Sequence, residues 1–284
     1  MKIALSGSNG LVGSHLCDFL KHECDADIIK IPRELLYGDA SLLANKLLGA
    51  DVIIHLSGAS ILSRWTPKNK QILRDSRVVT TRNLCKAVNL MQQKPKQFIC
   101  TSAVGIYNNN EQHTENSKAY SDDFLGQICM EWEESAMQMQ ELNVATAIFR
   151  LGVVLSLQGG VIQKTLPLFK MGLGGRLGSG KQAFPYIHIE DLARAYAFVI
   201  KANSKGIYNL VAPDEVSNYD FTKSLAKSLK RPAFCHVPSF ILRNLLGEAS
   251  TVLLNGQRVI PERLQKEGFV FNYLTLNEAL HALT

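Results

Sequence analysis

Lys2-Ile-Ala-Leu-Ser-Gly7-Ser-Asn-Gly10-Leu-Val-Gly13-Ser-His-Leu16 decides how the rest of the chain is read. A short apolar run enters GxxGxxG and passes directly into a helical pattern whose buried face carries Leu11, Val12, Leu16, Phe19 and Leu20. In that setting each glycine has a task. Gly7 permits the tight turn, Gly10 lets the backbone approach a pyrophosphate, and Gly13 lets the helix lie against the strand, so that the helix amino terminus faces the anion. The glycines alone spell no more than a βα connection; the strand before them and the helix after them make a phosphate cradle.

Short apolar runs at residues 26–31, 51–56, 97–101, 146–151 and 207–211 alternate with helix-length stretches, and a weak strand is expected at 35–37. This rhythm predicts an α/β fold, a Rossmann-type doubly wound parallel sheet. Ligands bind such sheets beyond the strand carboxyl ends, which here carry residues 7–13, Ser57-Gly58-Ala59 and Ser102-Ala103, small enough to admit a cofactor. From Val161 the alternation gives way to Gly172-Leu-Gly-Gly-Arg-Leu-Gly-Ser-Gly180-Lys181, too rich in glycine for a helix interior and read as a loop over the site. The expected division is a dinucleotide-binding domain over 1–231, with the Gly-rich excursion near 158–186 on the substrate side. A smaller, mostly helical C-terminal lobe over 232–284 ends in a short strand-like piece.

A chain of 284 residues with 46% hydrophobic and 20% charged residues has the makeup of a globular enzyme. No apolar run reaches membrane-spanning length and no charged-then-apolar leader precedes the first strand, so a cytoplasmic protein with no membrane partner is expected. The six cysteines, at 17, 24, 85, 100, 129 and 235, show neither CxxC pairing nor metal-ligand spacing, and read as free buried thiols with no metal site. The formal charge of +6 is spread without a basic run, which argues against nucleic acid and leaves a small molecule as the partner.

Several positions carry chemistry or its imitation. The second strand ends in Ile31-Pro32-Arg33, where an acid would hold the 2'-hydroxyl of NAD and an arginine accommodates the 2'-phosphate of NADP; Arg33 favours NADP(H), with NAD(H) still open because Glu34 follows. Asp39 either meets the adenine amino group or forms a turn with Gly38. Residues 175–181 nearly spell a P-loop, but Gln182 supplies no magnesium-binding hydroxyl and no strand precedes them. Tyr219 and Lys223 match YxxxK, a competent proton-donor pair, yet they follow the last sheet strand and read as the start of a surface helix. Phe124, Ile128, Trp132, Ala136 and Met139 recur at helical spacing as a core stripe without an acid. Ser102 either caps the backbone or hydrogen-bonds a substrate carbonyl, and Tyr107 follows in the same loop. His188 precedes an apolar helix and reads as structural, with Glu190 or Asp191 as its cap.

Arg64-Trp65-Thr66, Ser76-Arg77, Ser102-Ala-Val-Gly105-Ile-Tyr107, Trp132-Glu133, Arg150-Leu-Gly152, Gly172-Leu-Gly-Gly175 and Ile187-His188-Ile-Glu-Asp191 together resemble the atypical short-chain dehydrogenase/reductase superfamily, in its NAD-dependent epimerase/dehydratase branch. The tail from Val237-Pro238 through Gly256-Gln257-Arg258 to Gly268-Phe-Val-Phe271 resembles that branch's small C-terminal domain of unassigned role. The resemblance implies that Gly7, Asn9, Gly10, Leu11 and Val12 meet the pyrophosphate, Arg33 the 2'-phosphate, and Leu56, Ser57 and Gly58 the adenosine-side ribose and diphosphate. Ser102 takes the place of the catalytic serine, while Leu125 and Cys129 stand where the family's tyrosine and lysine would be. Two readings follow. One is an NADP(H)-dependent oxidoreductase or epimerase-like enzyme on a small carbonyl or hydroxyl substrate, in which Ser102 orients the substrate and Tyr107 or a water supplies the proton. The other is a non-catalytic dinucleotide sensor that lacks the Tyr/Lys pair.

Overall fold

The long apolar runs become the strands of one sheet in the computed structural model, which describes residues 1–284. Numbering that sheet alone, the strands are β1 (Lys2–Ser6), β2 (Asp27–Ile31), β3 (Val52–His55), β4 (Gln97–Ala103), β5 (Ala145–Leu151) and β6 (Gly206–Leu210). They lie in the order β6-β5-β4-β3-β1-β2, every neighbouring pair parallel. A parallel sheet is covered on both faces, and the alternation within strands sorts the core accordingly. Ile3, Leu5 and Ile99 face one layer, where they pack with Leu16 and Leu20 of α1 (Leu11–Cys24) and with Leu192 and Tyr196 of a later helix. Ala4, Phe98 and Cys100 face the other.

Residues 35–37 correct the sequence reading, since they belong to a short helix, α2 (Arg33–Tyr37). Pro32 fixes the backbone of its first turn, Glu34, Leu35 and Leu36 favour helix, and the buried Leu36 joins the second core layer, which leaves β2 as the sheet edge. That layer is completed by α3 (Ala40–Lys46), α5 (Val78–Leu90), which follows α4 (Pro67–Asp75), and α6 (Phe124–Glu141). Of the core stripe on α6, Ile128, Trp132, Ala136 and Met139 are buried, and Phe124 in the first turn is half-buried.

Beyond β5 the chain forms α7 (Gly160–Lys170), α8 (Ile189–Lys201) and, after β6, α9 (Asn218–Ser228) and α10 (Ser239–Leu246). The glycine-dense passage is not loop throughout, because residues Gly175–Leu177 pair in parallel with Cys235–Val237. A two-residue pairing of this sort, Arg258–Val259 with Gln112–His113, ties the tail to the loop after β4. Residues 268–271 are irregular chain, with Phe269 and Phe271 in the first core layer against α8. Two buried carboxylates, Glu115 and Asp191, and the half-buried Asp214 hold the tail in place. Glu115 accepts the Arg263 N–H at 3.2 Å, Asp191 accepts the Asn272 and Tyr273 N–H groups at 2.9 Å each, and Asp214 accepts that of Leu276 at 2.8 Å.

Candidate functional site

The strand order reverses between β1 and β3, and the crevice at their carboxyl ends is where the glycine cradle lies. Gly7 has φ +75°, and a Cβ built on Gly13 would stand 2.1 Å from the Gly7 carbonyl oxygen, so α1 can start this close to β1 only with glycine at 13. The Gly10 N–H donates to the Gly7 carbonyl at 3.0 Å, closing the turn. Gly10 is also the N-cap of α1, and no side chain caps the helix, so its first N–H groups face outward past Asn9, Leu11 and Val12. The residues after β3 close the other wall, with the Leu56 N–H on the Ser6 carbonyl at 3.3 Å. Ser57 and Gly58 continue from there.

Arg33 opens α2 directly beyond β2, exposed, with its guanidinium 5.8 Å from the Tyr37 ring centre. Asp39 caps α3, its Oδ1 accepting the Ser41 N–H at 2.6 Å, and these Ser41 hydrogen bonds hold its carboxyl below the usual range. Asp39 thus serves as the N-cap of α3.

At the end of β4, Ser102 is 3% exposed and its Oγ has no hydrogen-bond partner. It lies against the Cys129 thiol of α6, which burial, with Glu133 nearby, pushes up to about 12. Leu125, one turn earlier on α6, sits in an apolar wall with Trp65, Phe124, Ile128 and Ala249, the Trp65 and Phe124 rings 5.1 Å apart. The wall is thus assembled from the loop after β3, from α6 and from the C-terminal segment.

Tyr107 is placed away from that wall, fully buried. Its hydroxyl accepts from Arg150 Nη1 at 2.7 Å and lies 2.9 Å from Asn209 Oδ1 and 3.0 Å from the Thr114 carbonyl, so every hydrogen-bonding direction of the phenol is occupied within the protein. Burial also raises it to about 12, despite Arg150. His188 caps α8 by accepting the Glu190 N–H at 3.2 Å, and burial lowers it to about 4. Tyr219 and Lys223 lie on α9, as expected of a surface helix, with the ammonium 4.6 Å from the ring centre.

Arg77, which the sequence shows only as part of the Ser76-Arg77 motif and without a role, is the N-cap of α5, and its guanidinium reaches the Ala59 carbonyl at 3.1 Å. Its signal was a cation just before a helix with no acid one turn away. His55, at the end of β3, is a second omission. It bridges Ser6 Oγ at 2.6 Å and Thr80 Oγ1 at 3.2 Å, and burial, then Arg77, depresses it to about 3. A groove of about 530 Å³ on the outer side of α6, lined by Met130, Met137, Ile148 and Ile207, includes no residue of the cradle.

A six-stranded parallel sheet with a glycine cradle at its reversal point defines a Rossmann-type α/β protein. Residues 3–210 match the model of the NAD dependent epimerase/dehydratase family, and residues 237–283 match a domain of unknown function, DUF1731. The chain belongs to the NAD dependent epimerase/dehydratase family. It is 34% identical over 292 residues to an epimerase family protein of Staphylococcus haemolyticus, covering 98% of this chain and 97% of the relative. It is 32% identical to the chloroplastic epimerase family protein SDR39U1 homolog of Arabidopsis thaliana, covering 100% of this chain and 86% of that one. The crystal structure of human epimerase family protein SDR39U1 with NADPH superposes with a TM-score of 0.92 at 30% identity, covering 100% and 99% of the two chains. No helix of the chain is long and apolar enough to cross a membrane.

Proposed function

We propose that the chain binds NADP(H) in preference to NAD(H) and acts as an oxidoreductase on a small carbonyl or hydroxyl compound. The observation that carries the reading is the Ser102 hydroxyl, buried at the sheet mouth against the Cys129 thiol and with no oxygen or nitrogen partner in the chain. A thiol is only a weak hydrogen-bond partner, so an oxygen of a bound ligand would satisfy this hydroxyl better than the chain does. The nicotinamide ring, when bound, supplies or accepts the hydride.

The chain's own residues do the rest. The uncapped start of α1 and the turn at Gly7 receive the diphosphate, and Arg33, with no carboxylate in contact, receives a 2'-phosphate. NADPH in the human relative agrees with that choice. Ser102 would donate to the substrate oxygen and orient it, and the wall of Trp65, Phe124 and Leu125 would keep bulk water from it. The proton arrives through a water held by Ser102, since Tyr107 is enclosed and Cys129, raised to about 12, keeps its proton.

One feature favours a second reading, dinucleotide sensing without turnover: α6 presents Leu125 and Cys129, neither an acid at neutral pH, to the site. NADPH oxidation across a panel of small aldehydes and ketones, by wild type and Ser102→Ala, separates the two. Turnover that falls about a hundredfold in the variant supports the oxidoreductase. NADPH binding with oxidation at background throughout supports the sensor.

A further inference from the structure

Charge is segregated along the chain although no basic run occurs. Between Lys118 and Arg150 there is no lysine or arginine, while Asp122, Asp123, Glu131, Glu133, Glu134 and Glu141 occupy that stretch. Between Asp220 and Glu248 there is no acid, while Lys223, Lys227, Lys230, Arg231 and Arg243 occupy it. The acidic stretch contains α6 and the basic one contains α10. Each of these helices also carries apolar side chains that the core does not cover.

α10 is turned outward. Leu242 is buried, and the face away from it carries Phe240 and Leu245, 62% and 67% exposed, with Ile241 exposed between them. Phe234, just ahead of the helix, is 90% exposed. Arg243 is exposed beside this face and makes no ion pair. An amphipathic helix ordinarily turns its apolar stripe to a core, so a stripe left in water beside a cation has the form of a docking face.

The groove of about 530 Å³ on α6 is its counterpart. No residue after Ile207 joins the core layer that α6 covers, so the edge strand β6 and its neighbour β5 leave Ile207 and Ile148 at the open flank of the helix. Met130 and Met137 of α6 line the other side, and their unbranched side chains adapt to what they receive. Glu131 pairs with Arg74 and Glu133 with Arg150, which leaves Glu134 exposed and unpaired on the rim. The groove thus offers apolar walls beside a free carboxylate, and α10 offers an apolar face beside a free guanidinium.

We propose that the groove on α6 receives α10 of a second copy of this chain, with Phe240 and Leu245 against Met130, Met137 and Ile207, and Arg243 at Glu134. Charge complementarity carries the choice of occupant. The chain itself supplies both signs on the two surfaces, whereas like surfaces would bring carboxylate to carboxylate or guanidinium to guanidinium. Because the contact joins unlike surfaces, it either closes by exchange of two such contacts or continues head to tail.

Sedimentation velocity on wild type, Met137→Lys and Leu245→Lys tests the proposal. Both residues are exposed, 37% and 67%, so neither change empties the core. Wild type is expected to associate below about 100 μM, and each variant alone at least about tenfold more weakly. An equimolar mixture of the two variants regains association, because α10 of the Met137→Lys chain and the groove of the Leu245→Lys chain are both intact. The two changes add the same charge and cannot compensate one another, so recovery in the mixture reports the one intact contact. A wild type that stays monomeric throughout that range overturns the proposal. So does association that survives unchanged in either variant, or a mixture that stays as dissociated as its components.

Discussion

Arg150 and Glu133 form a buried bidentate pair, Nε to Oε1 at 2.9 Å and Nη2 to Oε2 at 2.7 Å, that joins β5 to α6. Arg150 is the β5 residue in register with Ser102, so the pair fixes the floor on which the candidate site stands. Its third hydrogen bond goes to Tyr107, and through Asn209, whose side-chain amide donates to the Ile260 carbonyl at 3.0 Å, the network reaches the C-terminal segment. Removing one member strands a buried charge. Glu133→Ala therefore destabilises the protein by about 3–5 kcal/mol, read from the urea midpoint; a loss below 1 kcal/mol would show that Arg150 finds water instead.

The carboxylate of Asp191, 1% exposed, accepts two tail N–H groups and pairs with Arg194 at 2.8 Å. Asp191→Ala is expected to cost about 2–4 kcal/mol and to speed amide exchange first at Asn272 and Tyr273. Uniform acceleration across the whole chain would mean that the tail does not open separately.

Gly13→Ala puts a methyl 2.1 Å from the Gly7 carbonyl oxygen, so the start of α1 must move. The expected outcome is a loss of about 1–3 kcal/mol in stability together with loss of NADPH binding. Gly10→Ala meets its nearest atom at 3.4 Å and is expected to keep its stability while weakening NADPH binding, since Gly10 faces the diphosphate side of the turn. Retention of full affinity in Gly13→Ala would remove the cradle from the account.

His55 titrates near 3 in the folded protein against 6.5 ordinarily, and His188 near 4, both because burial disfavours the charged ring. Below pH 6.5 the unfolded chain takes up protons that these rings refuse, so their contribution to stability is full at neutral pH and falls as pH drops from 6.5 toward 3. Each group steepens the fall by at most about 1.4 kcal/mol per pH unit. In His55→Gln, which titrates nowhere in this window, the slope between pH 6 and 4 becomes shallower by about that amount; an identical slope would place the ring in water.

Much of the sheet was legible because parallel strands covered on both faces read as unbroken apolar runs, as Val52, Ile53 and Ile54 do. The cradle was legible because its glycines are fixed by local geometry. Residues 35–37 were not, since three apolar residues suit a strand or a helix turn equally, and the choice fell to Pro32 and the packing of Leu36. Nor does any local pattern announce that 175–177 meets 235–237, because such pairing depends on contacts across the chain. The site divides in the same way. Ser102 was visible at a strand end, but the enclosure of Tyr107 comes from Arg150, Asn209 and Thr114, brought together only by the fold.

We read the crevice at the carboxyl ends of β1 and β3, with Arg33 just beyond β2, as the seat of an NADP(H) whose 2'-phosphate meets Arg33. Titration of NADPH and NADH into wild type and Arg33→Ala tests it most directly. The account predicts that wild type prefers NADPH by tenfold or more, about 1.4 kcal/mol, and that Arg33→Ala binds the two alike through loss of NADPH affinity. Equal affinities in wild type, or a preference that survives in Arg33→Ala, would contradict it.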